Sequence, residues 1–168
     1  MLTGVSATTR LARPEDERAL RTIDHLTWSP LSSPAPAPPP ERPFFRPGVE
    51  PGDVLVAELV DGGALAGYAH LGPVLPLQST AHVLEIKGLA VDPAHQGRGL
   101  GRLLLAAATA EARARQARRL TLRVLSPNDA ARALYTAAGF TVEGVLEQHF
   151  RLDDAYVDDV LMALDLTA

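Results

Sequence analysis

The feature that most restricts what this chain can fold into is the run Val91-Asp92-Pro93-Ala94-His95-Gln96-Gly97-Arg98-Gly99-Leu100-Gly101. A hydrophobic stretch ends at Asp92-Pro93, and a loop with glycines at 97, 99 and 101 leads into a long segment rich in Ala, Leu and Arg. Proline stops strand pairing, and glycine lets a ligand approach bare backbone N–H groups. The first N–H groups of a helix have no partner within it and sit at the positive end of its dipole, so such a loop is suited to holding a phosphate. A strand, a phosphate-binding loop and a helix in succession imply an α/β fold. A dinucleotide fingerprint would need glycine at position 102, which is Arg102, and an early place in the chain. A P-loop would need a lysine after its last glycine, and the only lysine is Lys87.

The rest of the chain fits around this unit. Val5 to Ala12 is expected as a first strand. Pro14 followed by Glu15, Asp16 and Glu17 marks a helix start, with Leu20, Ile23, Leu26 and Trp28 as its apolar face. Nine of the 14 prolines fall between Pro30 and Pro51, a density that excludes regular helix or central strand and predicts one long loop. Asp53 to Val60 and Ala64 to Val74 read as a hairpin turning at Asp61-Gly62-Gly63, and Ala81 to Val91 as a third strand. Gly99 to about Ala117 has helical periodicity, with Leu103, Leu104, Ala107 and Ala110 expected on the buried side. Leu120 to Leu125 is a short buried strand. Asn128 to Ala138 is a helix capped by Asn128 and closed by Gly139, with Ala131, Leu134, Tyr135 and Ala138 on one face. Thr141 to Leu152 and Tyr156 to Leu166 are expected to pair as an antiparallel hairpin around Asp153-Asp154-Ala155. The order predicts a mixed sheet with helices on its faces, and 168 residues suffice for a single domain with its own core.

Composition narrows the function classes. With 46% hydrophobic and 21% charged residues the chain is expected to fold rather than remain disordered. The absence of cysteine excludes disulfides, thiolate catalysis and cysteine-based metal sites, and fits a cytoplasmic protein. The longest apolar run, Leu103 to Ala108, is far short of the ~20 residues that span a bilayer, and Met1 to Arg10 lacks the apolar core of a signal peptide, so no membrane role is expected. A net charge of -4 argues against nucleic acid as the partner. Charge is uneven: seven arginines against Glu111 between Arg98 and Arg123, then seven acids against Arg151 between Glu143 and Asp165. An anionic ligand at the first segment and a cationic one at the second would suit this pattern, and so would two solvated faces.

Gln96-x-x-Gly99-x-Gly101 resembles the Q/R-x-x-G-x-G/A signature of the GNAT superfamily of acyl-CoA-dependent N-acyltransferases. The run His82 to Pro93 is similar to that family's central strand, and Asn128-Asp129-Ala130-Ala131-Arg132-Ala133-Leu134-Tyr135-Thr136-Ala137-Ala138-Gly139-Phe140 to its N-x-x-A-x-x-x-Y-x-x-x-G-F segment. With the element order also matching, the resemblance covers nearly the whole chain. It implies a GNAT-like, mostly antiparallel sheet splayed at the centre between the Ala81–Val91 and Leu120–Leu125 strands, with helices on both faces. It implies acetyl-CoA as co-substrate, no metal, and transfer of acetyl to a primary amine, on a small molecule or a peptide or protein, in a ternary complex. A catalytically silent acyl-CoA-binding module is the alternative, and a homodimer is left open.

By resemblance, backbone groups of Leu89 and Val91 hold the pantetheine arm, and a backbone N–H near Leu89 or Ala90 stabilises the oxyanion. Gln96, Gly97, Arg98, Gly99, Leu100, Gly101 and Arg102 hold the pyrophosphate, and Asn128, Ala131 and Tyr135 complete the cofactor site. Tyr135 matches the family tyrosine that protonates the leaving thiolate. Glu85, a carboxylate in an otherwise apolar strand, is the first candidate for the base, with His82 and His149 as others. The proline loop and the last hairpin, carrying Glu147, Asp153, Asp154, Tyr156 and Asp158, are expected to select the acceptor, those carboxylates attracting a protonated amine or basic peptide. The stretch from Pro30 to Pro51 departs from relatives that place a second helix there.

Overall fold

The computed structural model describes residues 6–167. Its strands form one seven-stranded sheet: β1 (Ala7–Leu11), β2 (Val54–Leu59), β3 (Leu65–Pro73), β4 (Val83–Val91), β5 (Arg119–Leu125), β6 (Thr141–Leu152) and β7 (Ala155–Asp165). They lie in the order β1-β2-β3-β4-β5-β7-β6. Only β4 and β5 run parallel; every other neighbouring pair is antiparallel. Three α-helices interrupt the strands, α1 (Glu17–Thr27), α2 (Leu100–Ala114) and α3 (Asp129–Ala137). The expected element order is observed. The first strand begins within the described residues at Ala7, and Val5 of the anticipated span lies outside them.

The two faces of the sheet carry separate cores. On one, α2 and α3 cover Leu55, Ala69, Leu71, Ile86, Leu122 and Val160, with Leu104, Leu105, Tyr135 and Phe140 pointing inward. On the other, α1 brings Leu20 and Ile23 onto Val54, Val56, Tyr68 and Ala90. Each fully buried Leu or Ile contributes about 1.5–3 kcal/mol of transfer free energy, so both layers are held by apolar burial. The inward face of α2 is Leu100, Leu104, Leu105, Ala108 and Ala112. That corrects the anticipated face, which is rotated: Leu103 and Ala107 are only partly buried, and Ala110 is exposed. The helix settles close on β3 because Gly67 has no side chain; a Cβ there would meet Leu104 Cδ1 at 3.0 Å. In α1, Leu26 of the expected face is 55% exposed, since the chain leaves the sheet at that turn.

The proline segment is a fixed wall over the α1 face. Both oxygens of the Glu17 carboxylate accept backbone N–H bonds, from Phe44 and Phe45, each at 2.8 Å. Trp28 Nε1 donates to Ala35 O at 3.0 Å, and Phe44 is buried with its ring edge-on to Tyr68, centroids 4.9 Å apart. A segment without regular hydrogen bonding is thus held by side-chain tethers at both ends.

Candidate active site

The site begins where β4 and β5 part. Their parallel pairing covers only Val83–Ile86 of β4 against Arg119–Leu122 of β5, while β4 continues to Val91 and β5 to Leu125. Beyond Ile86 and Leu122 the strands diverge, as the resemblance implied. β5 stays paired with β7 throughout, and β4 with β3. The backbone left without a sheet partner is therefore the β5-facing edge of β4 beyond Ile86 and the β4-facing edge of β5 beyond Leu122.

Strand alternation says which residues present that edge. Asp92 N–H donates to Ala66 O on the β3 side, at 2.9 Å. Residues of one parity share a direction, so Ala90 also faces β3, whereas Leu89 and Val91 turn their N–H and C=O groups into the gap. Ala90 N–H, anticipated as an alternative oxyanion donor, is thereby committed to the sheet. Gln96 Nε2 donates to Val91 O at 3.0 Å, tying the glycine loop to the strand end.

A bulge changes the side-chain pattern further back. His70 pairs with Gly88 and Leu71 with Ile86, leaving Lys87 as the extra residue. Ile86 and Leu89 consequently both face the α2 side, and Glu85, Lys87 and Ala90 all face the α1 side. Glu85 and Lys87 stand side by side, Nζ to Oε2 3.9 Å.

In the loop, Gly97 (φ +73°) and Gly99 (φ +85°) are left-handed, and a Cβ on either would meet nothing within 4 Å. Within the chain it is the backbone conformation, not packing, that demands glycine at these two positions. Gly101 serves packing instead, since a Cβ there would lie 3.3 Å from Leu134 of α3. Asn128 caps α3, its Oδ1 accepting from Ala131 N–H at 3.2 Å. Both residues therefore shape the helix end that follows β5. Arg98 is exposed, and Arg102 lines a groove of about 370 Å³ between α2 and α3.

Tyr135 belongs to the same buried cluster as Ile86, Leu122 and Val124 around the fork, 6.0 Å from the Phe140 ring. Burial disfavours its phenolate and pushes the hydroxyl up to about 12, so it remains a proton donor at neutral pH.

Two clefts open on the opposite, α1 face. The first, about 510 Å³, lies between the proline segment and β4, and includes Leu89, Ala90, Val91 and Gln96. The second, about 350 Å³, is lined by Glu85, Arg123, Phe150 and Asp159. Ser32, Ser33 and Lys87 border both. Glu85 is the one candidate base in a cleft. His82 is exposed at the start of β4, and His149 is exposed with its ring stacked edge-on to Phe150. Glu147, Asp153, Asp154, Tyr156 and Asp158 line neither cleft; the last hairpin contributes Phe150 and Asp159. Besides Glu85, the charged groups that line the clefts are Asp24, Arg42, Arg46, Lys87, Arg123 and Asp159, none of which the sequence marks as part of a site. The alternation of Tyr68 with His70 on β3 was the available signal that this face of the sheet is polar.

Residues 20–140 match the model of the acetyltransferase (GNAT) family. The chain belongs to that family. It is 40% identical over 100 residues to the N-alpha-acetyltransferase RimI of Mycobacterium tuberculosis, covering 56% of this chain and 58% of that protein. It is 34% identical over 113 residues to the L-methionine sulfoximine/L-methionine sulfone acetyltransferase of Salmonella typhimurium, covering 67% and 64%. Among solved structures it superposes on yncA of Salmonella typhimurium, determined with its cofactor acetyl-CoA, with TM-score 0.80 and 26% identity over 97% of this chain and 95% of that one. The single-domain α/β fold with a splayed, mostly antiparallel sheet is that of the family. Among the described residues no helix is long and apolar enough to cross a membrane, and no three His, Asp or Glu side chains are grouped to hold a metal.

Proposed function

We propose that this protein transfers an acetyl group from acetyl-CoA to an amine by direct attack in a ternary complex. The observation that carries the reading is the fork: Leu89 backbone and the Val91 N–H, without sheet partners, face a gap that ends at a left-handed glycine loop and has Tyr135 on its α3 wall. Those groups fit the co-substrate. Leu89 and Val91 would pair with the amides of its pantetheine arm, and the loop from Gln96 to Arg102 with the start of α2 would hold its pyrophosphate. The Asn128 cap and Ala131 would fix the wall beside the arm.

Bound acetyl-CoA supplies a thioester carbonyl activated toward nucleophiles. The chain supplies the rest. Glu85 accepts the proton that the amine must shed as its nitrogen forms the new C–N bond, and Tyr135 gives a proton to sulfur as the C–S bond breaks. Leu89 N–H, directed into the gap, is the donor available to charge on the carbonyl oxygen. Base and acid approach from opposite faces of the sheet, which is open only at the fork. The cysteine-free composition suits work in a reducing cytoplasm.

Calorimetric titration with acetyl-CoA, CoA and NAD tests the reading. Micromolar binding of the first two and none of NAD supports it, and thiol release on adding amines completes the case. Binding without turnover of any amine would favour the silent acyl-CoA-binding module, and no binding of an acyl-CoA would overturn both.

A further inference from the structure

The charges that line the first cleft favour an acceptor with an acidic group of its own. Its charged lining is Asp24, Arg42, Arg46 and Lys87, three cations against one acid. Asp24 is already engaged twice: Oδ1 accepts from the Tyr68 hydroxyl at 2.7 Å and Oδ2 from Arg42 at 2.9 Å. Its charge is matched by Arg42, which leaves Arg46 and Lys87.

Arg46 donates to the backbone carbonyls of Pro43 and Phe44, at 3.3 and 2.6 Å, and forms no ion pair among the described residues. Those bonds use one guanidinium nitrogen, Nη1, and orient the group. Lys87 reaches Glu85 only at 3.9 Å, the outer limit of an ion pair. Its stem runs along Gly72, where a Cβ would sit 2.8 Å from Lys87 Cε, so the missing side chain on β3 clears the track for the lysine. Beside the Lys87 bulge is His70 of β3, buried and with Nε2 unpartnered; burial favours its neutral form, Lys87 and Arg46 push the same way, and Asp53 opposes them. Neutral or protonated, the imidazole brings no negative charge that could cancel theirs.

The amine end has its counterpart next door, where Glu85 lines the second cleft and Lys87 borders both. The second cleft's other charges, Arg123 and Asp159, satisfy one another. We propose that the acceptor is a small zwitterion, an amino acid or close analogue, whose acidic group is held by Arg46 and Lys87 while its amine is presented to Glu85. A cationic polyamine would meet uncompensated positive charge here. A protein N-terminus would need a way under a proline segment tethered by Glu17 and Trp28. This inference rests on the acetyl-transfer reading and names the acceptor class for it.

The test is thiol release from acetyl-CoA with the twenty L-amino acids, their carboxamides, spermidine, and a C-terminally amidated tetrapeptide. For the best amino acid, kcat/KM is expected to exceed that of its carboxamide by about 10- to 100-fold, the worth of a charge-assisted bond. Arg46→Gln is expected to raise KM by a similar factor and to erase the discrimination between acid and amide, with kcat and acetyl-CoA affinity retained. Equal or better turnover of the carboxamides, spermidine or the peptide would overturn the inference and leave acetyl transfer standing, as would an Arg46→Gln enzyme that discriminates like the parent. No release with any amine would instead remove the transfer reading on which the inference depends.

Discussion

Arg123 on β5 and Asp159 on β7 form an ion pair between unequal partners: the Asp159 side chain is 2% exposed and that of Arg123 is 47% exposed. Arg123 Nε donates to Oδ2 at 2.6 Å, and Nη2 binds the same oxygen. The buried carboxylate depends on the arginine for its solvation, and the arginine, half in water, depends little on the carboxylate. Arg123→Met should therefore cost more than surface pairs usually contribute, about 1–3 kcal/mol, because it strands a buried charge. Asp159→Asn should cost less. Urea unfolding of both variants checks the order, and equal losses would show the pair to be an ordinary surface contact.

Tyr135→Phe removes one oxygen from a side chain whose ring is otherwise packed in the core. The fold and the acetyl-CoA dissociation constant should be nearly unchanged, while kcat should fall about 10²-fold or more if the hydroxyl protonates sulfur. Unchanged turnover would assign that proton to water.

Glu85→Gln keeps the shape of the side chain and removes its ability to take a proton. The expected result is a fall in kcat of about 10²–10⁴ with acetyl-CoA binding intact. Because His82 and His149 line neither cleft, His82→Gln and His149→Gln should leave kcat within about twofold, the scale of surface changes. A histidine variant as impaired as Glu85→Gln would move the base off β4.

Gly67→Ala should be costly although alanine is the smallest change available. A Cβ at 67 would lie 2.6 Å from Ala90 O and 3.3 Å from Val91 Cα, both backbone atoms of the strand that borders the gap. Relief requires β4 to move or α2 to lift, so a loss of about 1–3 kcal/mol is expected, together with weaker acetyl-CoA binding. Gly62→Ala, in an open turn on the same hairpin, is the control for a general effect of replacing glycine. Its φ of +86° makes it strained but unobstructed, so it should lose stability without losing cofactor affinity.

The parts legible in the sequence are those where local chemistry and tertiary placement agree. Gly97 and Gly99 read as a loop between a strand and a helix, Asn128 as a helix cap, and Asp153-Asp154 as a hairpin turn, and each is observed; the left-handed backbone of the two glycines is the structure's addition. The clefts on the α1 face were not legible because their residues, and those that hold the proline segment over them, come from separate elements whose contacts have no sequence spacing. Arg42 meets Asp24 across 18 residues, Tyr68 meets the same Asp24 across 44, and Glu17 meets Phe44 across 27. The bulge at Lys87 was equally invisible, yet it decides that Lys87 and Glu85 share a face with Ala90. The acidic run of the last hairpin misled for a related reason: charge counted along a strand does not say which residues reach the cleft, and Asp159 alone of those acids does.

His70 gives the fold a defined response to acid. Its ring is 8% exposed on the α1 face of β3. Burial is the largest influence and favours the neutral imidazole, so its titration is shifted below the usual value; Lys87 and Arg46 push the same way, while Asp53 and the Gly48 backbone oppose them. In the unfolded chain the same side chain takes up a proton near pH 6.5, to about one unit. Between the unfolded and the lowered folded value the unfolded state binds more protons, so stability must fall as pH falls through that window and is fully retained above it. Urea unfolding of the parent and of His70→Gln from about pH 7.5 down to about pH 5 measures the effect. The parent should lose stability faster than the variant on acidification, so the difference between them should shrink or change sign below about pH 6.5. A difference that stays constant with pH would mean that His70 titrates alike in both states, and would place the ring in contact with water.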